Sequence, residues 1–331
     1  MVITRTPFRI SFFGGGTDYP VWYEKNGGAV LSTSIDKYCY ISCRYLPPFF
    51  AHKSRIVWSK IESVQSPKEI QHPAVRGVLT HLGIDEGLEI HHDADLPARS
   101  GLGSSSAFTV GLVHALNALR GNMVSKRQLA LDAIHIEQVV LKENVGSQDQ
   151  AVAAFGGLNK IEFGGPHRIA VQPVILAGER YKLLQDHLML FFTGVSRNAS
   201  EIAAEQVNNT HVKSVELQRM ARMVDEATGI VMSSGPLDDF GKLLHEAWQV
   251  KKGLSSQISN SFIDGVYESA RKAGALGGKL LGAGGGGFML FFVKPELQPL
   301  VRERLKHLLY VPFRFESLGS QIIYYAPSHV A

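Results

Sequence analysis

A chain of 331 residues, 45% hydrophobic and 19% charged, has the composition of a globular protein and the length for two domains, each with a real core. Lys and Arg number 34 against 30 Asp and Glu, a net charge of +4 with no run of five or six like charges, which argues against a nucleic-acid partner and suits a small anionic substrate. Two cysteines, Cys39 and Cys43, exclude a disulfide framework or a zinc cluster; no apolar run nears the ~18 residues of a membrane span and residues 1–7 lack a signal-peptide pattern, so a cytoplasmic protein without a membrane partner is expected.

Residues 2–13 alternate, Phe8, Ile10 and Phe12 against Arg9, Ser11 and Phe13, which predicts a strand. It runs into Gly14-Gly15-Gly16-Thr17-Asp18. Three glycines let a ligand or another backbone approach closely, and Thr17 and Asp18 add a hydroxyl and a carboxylate suited to sugar hydroxyls; a solvent turn is the plainer reading. Strands are predicted over 29–35, 37–45 and 54–58, a helix over 68–83 and a strand over 88–93. Cys39 and Cys43 share a face and read as buried thiols, and His91-His92 reads as structural.

The stretch Leu96-Pro97-Ala98-Arg99-Ser100-Gly101-Leu102-Gly103-Ser104-Ser105-Ser106-Ala107 feeds a helix predicted over 105–119 and closed by Gly121. Gly101 and Gly103 permit tight or positive-φ backbone, the first turn offers free N–H donors and the positive end of the helix dipole, and three hydroxyls can meet phosphate or a hard cation. A serine-capped helix is the alternative. The G-x-x-x-x-G-K-[ST] template is absent, so a nucleotide site here belongs to another family.

A helix predicted over 125–142 sets Glu137 on a stripe with Ala130, Ala133, Ile134 and Leu141, where a lone buried carboxylate is costly; it either reaches water or faces a cation. Ser147 and Gln150 form the pattern of a capping box, so a helix starts there with Asp149 in its first turn, as a dipole partner or as a base. Residues 187–193 predict an apolar strand leading to Arg197, placed for an anion or for solvent. Helices are predicted over 199–208, 212–231 and 238–250. Gly282, Gly284 and Gly287 spell G-x-G-x-x-G, but they precede the predicted strand 288–293 rather than following a strand and opening a helix, which rejects a dinucleotide fingerprint. A helix over 295–309 and strands over 312–316 and 321–325 close an α+β unit of the split-βαβ kind. Composition puts the domain boundary near 182, giving domains 1–182 and 183–331.

Three loops together resemble the kinase superfamily of galactokinase, homoserine kinase, mevalonate kinase and phosphomevalonate kinase (GHMP). They are Pro7-Phe8-Arg9-Ile10 through Asp18, Pro97-x-x-Ser100 through Ala107, and Lys279 through Gly287. The resemblance implies a two-domain α+β fold, an N-terminal mixed α/β nucleotide-binding domain and a ferredoxin-like C-terminal domain with the active site between them. It implies ATP and Mg²⁺: Pro97, Ser100, Gly101, Leu102, Gly103, Ser104, Ser105 and Ser106 at the nucleotide, Ser105 and Glu137 at the metal. Asp149 matches the catalytic base, with Arg9 beside it. Gly14, Gly15, Gly16, Thr17 and Asp18 would hold the sugar, with Gly284 and Gly285 closing over it.

The Gly-Gly-Gly-Thr-Asp, Gly-Ser-Gln-Asp-Gln and 191–197 stretches resemble the branch that phosphorylates D-glycero-D-manno-heptose 7-phosphate at its anomeric carbon. That implies a heptose 1,7-bisphosphate product for capsule or lipopolysaccharide synthesis, with Arg197, then Lys37 and Lys251, as candidates for the 7-phosphate. Fucose-type kinases share part of the first motif, so a kinase of a free sugar is the alternative. Glu137 and Asp149 speak against a non-catalytic regulator. A homodimer is compatible with this reading.

Overall fold

The computed structural model describes residues 1–98, 100–165, 168–194 and 199–326. The alternating N-terminal stretch is strand β1, Val2–Phe13, paired antiparallel with β2, Gly28–Tyr45. β2 is one strand of 18 residues where two were expected: the ladder steps from Pro7–Tyr38 to Phe8–Ile35, so Asp36 and Lys37 form a bulge that bends the strand without ending it. Strands β3 (Ser54–Val57), β4 (Ile61–Val64), β5 (Leu88–Ala94), β6 (Leu158–Gly164) and β7 (Arg168–Pro173) extend the same sheet.

The second sheet holds β8 (Leu188–Phe192), β9 (Gly277–Leu280), β10 (Phe288–Phe292) and β11 (Leu309–Tyr310), in the order β11-β8-β10-β9 and all antiparallel. Helices Ala199–Asn209, Ser214–Met232, Asp238–Lys252 and Ser261–Lys272 lie between β8 and β9 in sequence. The last strands, β12 (Phe315–Glu316) and β13 (Gln321–Tyr325), do not finish this second unit as their position in the sequence suggested. They return to the first sheet, β12 on β2 and β13 on β1, and the hydroxyls of Thr6 and Ser320 meet at 2.8 Å. A cut at residue 182 therefore separates strands of one sheet.

β1 is buried on both faces from Thr6 onward. The helix Ser104–Leu119 covers one face, and Gly111 permits the close fit: Thr4 Oγ1 donates to Gly111 O at 3.0 Å, and a Cβ on Gly111 would stand 2.8 Å from Thr6 Oγ1. Across the other face, Phe240 of the helix Asp238–Lys252 meets Phe12 and Phe13 edge-on, with centroids at 5.6 and 5.1 Å, contacts worth about 0.5–1.5 kcal/mol each beyond area burial. Arg9 is thus carried into the interior, between the two halves of the chain.

Two helices depart from expectation. The run predicted over 125–142 is α-helical only over Lys126–His135 and continues as a π turn, Ile136–Val140, closed by Leu141 N donating to Ile136 O at 2.8 Å. The helix predicted over 295–309 is confined to Gln298–Arg304 behind a short 3₁₀ turn. Among the described residues no helix is long and apolar enough to cross a membrane.

Candidate active site

At the centre lies an ion pair between the strand and the helix Gln148–Phe155. Arg9 Nε and Nη2 donate to Asp149 Oδ1 and Oδ2, both at 2.7 Å, and Nη1 donates to Gly101 O at 2.7 Å. One guanidinium therefore ties the first-turn carboxylate to the glycine-serine loop, and Arg9 N donates to Leu102 O at 3.0 Å alongside. The Arg9 side chain is 4% exposed and that of Asp149 24%. The carboxylate is the member of the pair that a ligand can reach. Gly103, at φ 76, keeps its approach clear: a Cβ there would lie 3.3 Å from Asp149 Oδ2.

The glycine-serine loop and the C-terminal glycine loop are built against each other. A Cβ on Gly101 would meet Leu281 O at 2.5 Å, one on Gly282 would meet Gly101 Cα at 2.5 Å, and one on Gly287 would meet Ser100 O at 2.2 Å. Gly284 and Gly285, expected over the sugar, instead pack on the segment before helix Ser261–Lys272: a Gly284 Cβ would fall 2.7 Å from Ile258 Cα, and Gly285 N donates to Ile258 O at 3.0 Å. The first two residues of the expected loop, Lys279 and Leu280, belong to strand β9.

The first glycine loop is buried throughout. Thr17 does not offer its hydroxyl to a ligand; Oγ1 donates toward Gly14 O (2.8 Å) and Ala29 O (2.9 Å) and accepts from Ala29 N (3.1 Å), pinning the turn. Asp18 is 2% exposed and accepts from Gly16 N at 2.9 Å and from Gln148 N at 3.4 Å, joining this loop to the helix that carries Asp149. Burial pushes the Asp18 carboxyl above its ordinary range and the Asp149 charge adds to the rise, against the pull of those amides. Ser11 and Gln148 flank Gly15, whose Cβ would stand 3.8 Å from Ser11 Oγ and 3.5 Å from Gln148 Nε2, and Ser11 Oγ and Gln148 Oε1 are buried without a hydrogen-bond partner among the described residues.

Glu137 stands on the π turn and is fully buried. Ser106 Oγ donates to its Oε2 at 2.8 Å, Gln150 Nε2 donates to the same oxygen, and Oε1 has no hydrogen-bond partner among the described residues. Burial pushes the carboxyl up to about 7 against the hydroxyls of Thr109 and Ser106 and the Gln150 amide. A buried carboxylate with one oxygen unmade fits a hard divalent cation, which takes oxygen ligands. Two sequence expectations change here. Ser105, expected beside Glu137, is exposed on the first turn of its helix, and Ser106 is the serine in contact. The capping box is not made: Ser147 Oγ pairs with Tyr23 Oη and Gln138 Nε2, both at 3.1 Å, and Gln150 turns to Glu137.

Comparison with known proteins gives the family. The family model for the GHMP kinases N terminal domain matches residues 69–157, and that for the GHMP kinases C terminal matches 231–311, together just over half of the chain. The chain is a GHMP kinase. It is 29% identical over 308 residues to the D-glycero-alpha-D-manno-heptose 7-phosphate kinase of Campylobacter jejuni, covering 88% of this chain and 89% of that one. It is 27% identical to the bifunctional fucokinase/GDP-fucose pyrophosphorylase of Arabidopsis thaliana, with 91% of this chain on 30% of that protein. The fold matches the crystal structure of a D-glycero-D-manno-heptose 1-phosphate kinase from Bacteroides thetaiotaomicron with a TM-score of 0.79 at 23% identity, over 98% of this chain and all of that one.

Two lysines of this GHMP kinase are buried beside the glycine loops, one of them, Lys251, a 7-phosphate candidate from the sequence. Lys251 and Lys279 are 5% and 3% exposed; Lys251 Nζ donates to Gly282 O, and Lys279 Nζ donates to Phe12 O at 2.9 Å. Lys251 repeats the signal that exposed Glu137, a charge on the buried stripe of Phe240, Leu244, Ala247 and Trp248. Lys37 is taken up by Asp36 at 3.4 Å. Arg197 lies outside the described residues, as does Arg99.

In the Glu137→Gln variant the Mg²⁺ concentration giving half-maximal rate should rise by about tenfold or more, since a neutral amide is a far weaker ligand for a hard cation. A Mg²⁺ titration of initial rates that overlays the parent enzyme would remove Glu137 from the metal site.

Proposed function

We propose that this kinase transfers the γ-phosphoryl group of ATP to the anomeric hydroxyl of D-glycero-D-manno-heptose 7-phosphate. The observation that carries the chemistry is the three-way contact of Arg9 with both oxygens of Asp149 and with the carbonyl of Gly101. It holds a ligand-accessible carboxylate against a loop whose helix N-terminus suits phosphate. Phosphoryl transfer asks the protein chiefly for alignment and charge neutralisation. Asp149 would accept the proton of the sugar hydroxyl as that oxygen attacks, and Arg9 would hold the carboxylate in place through both of its oxygens. The glycine-serine loop, with Ser100, Gly101, Leu102, Gly103, Ser104 and Ser105, would cradle the nucleotide's phosphates. Glu137 and Ser106 would hold Mg²⁺, which when bound neutralises charge on phosphate oxygens.

Likeness to the Campylobacter kinase over nearly nine-tenths of both chains supports a phosphorylated heptose as acceptor. Likeness to the Arabidopsis fucokinase over 91% of this chain supports a second reading, a C1 kinase of a free sugar. An ADP-release assay offering heptose 7-phosphate, free heptose, L-fucose and D-galactose separates them. The expected result is a kcat/KM for the phosphorylated heptose at least ~10²-fold above any free sugar. Equal or better turnover of fucose would overturn the first reading in favour of the second.

A further inference from the structure

The helix Asp238–Lys252 ends with two lysines of opposite fate. Lys252 reaches the surface, pairs with Asp264 at 3.1 Å and lies 5.9 Å from the Trp248 ring centroid. Lys251 turns inward and is 5% exposed. An ammonium has three N–H groups to satisfy; among the described residues its one hydrogen-bond acceptor is Gly282 O, and it forms no ion pair with a carboxylate. Burial and the Arg9 charge push it down to about 8, with Asp18 and Asp149 acting the other way from beyond bonding distance. Neither acid is at its disposal. Asp149 is engaged by Arg9 through both oxygens, and Asp18 by backbone amides.

A buried cation left in this state is expensive unless an anion completes it. The neighbourhood adds to the demand: Lys279, also buried, is repelled by Lys251 and Arg9. The position of Lys251 indicates which anion. The turn that follows it, with Leu254 N donating to Lys251 O at 3.1 Å, sets Leu254 against the first glycine loop: a Cβ on Gly16 would stand 3.5 Å from Leu254 Cδ1. Lys251 therefore stands one turn before the residue that walls the first glycine loop, and Asp18 of that loop is among the charges it feels. We infer that Lys251 is the seat of the phosphate group that the acceptor already carries. The inference rests on the reading above that the acceptor is a sugar phosphate, and it assigns the residue that makes the enzyme prefer one.

The test compares the parent enzyme with Lys251→Met and Lys251→Arg on heptose 7-phosphate and on free heptose. Charge-assisted hydrogen bonds to phosphate are among the strong ones. In Lys251→Met the ratio of kcat/KM for the phosphorylated over the free sugar should collapse by roughly 10²-fold, through KM for the sugar phosphate more than through KM for ATP. Lys251→Arg should keep most of the preference. Removing an unpaired buried charge should not unfold the protein, and a thermal melt of each variant verifies this. Loss of activity on both sugars in equal proportion would overturn the inference in favour of a structural role; a rise confined to KM for ATP would place Lys251 at the nucleotide's phosphates instead. If the parent enzyme turns over free sugars alone, the substrate reading fails by itself. Inorganic phosphate then decides Lys251 separately: it should raise the melting temperature of the parent and not of Lys251→Met, and an equal rise in both would reject the seat.

Discussion

Replacing Asp149 by Asn should lower kcat by roughly 10²–10⁴-fold while KM for ATP stays within about threefold. The substitution keeps shape and volume but removes the only group in the Arg9 contact that can take a proton. It also replaces one acceptor oxygen by an NH₂ group, so one of the two 2.7 Å bonds from Arg9 is lost. Pre-steady-state measurement of phosphoryl transfer, rather than steady-state rate alone, separates loss of chemistry from slow product release. Transfer within threefold of the parent enzyme would exclude Asp149 as the base.

Arg9→Met should cost about 10²–10³-fold in kcat and about 1–3 kcal/mol in stability. The stability figure is set below that of a fully buried pair because the Asp149 side chain remains 24% exposed. The loss has two parts, the carboxylate without its counterion and the carbonyl of Gly101 without its donor. Arg9→Lys distinguishes charge from geometry, since an ammonium is a point charge and cannot span two carboxylate oxygens and a carbonyl as a planar fork does. A lysine variant with near-parental kcat would show that the fork is dispensable; one as damaged as Arg9→Met would show that it is the fork, not the charge, that matters.

Most of what positions the site was legible in residue patterns. The alternation of Phe8, Ile10 and Phe12 located β1, the Gly101–Gly103 spacing located the start of the long helix, and the order of glycines and apolar residues from Gly282 to Phe292 showed that no dinucleotide fingerprint was present. Glu137 was found as a charge where a charge should not be. What escaped depends on partners distant in sequence. The choice between Ser105 and Ser106 turns on which hydroxyl faces a π turn some thirty residues on, and a π turn leaves no mark in a period-3.6 pattern. Ser147 and Gln150 fit a capping box locally, but Tyr23 and Glu137 offered better partners. Thr17 was read as a ligand group because its role, closing the turn onto Ala29, is visible only once β2 has folded back. The return of β12 and β13 to the first sheet could not be read from their own short apolar runs, since such runs do not specify which sheet they join.

That return has a consequence for how the enzyme comes into being. β1 is made before the other described strands, yet its neighbour β13 is more than three hundred residues later in synthesis. The first half of the nascent chain can collapse around β2, but its sheet stays open on the β1 side until residues 321–325 have cleared the exit tunnel. Pairings this distant carry a heavy loop-closure cost and form slowly. β13 meets β1 only over Val2–Arg5, so Arg9, held on its other side by Ser34 of β2, can pair with Asp149 before that edge closes. The first sheet is therefore completed by two strands that synthesis separates most widely, and its β1 edge is the last part of it to be covered.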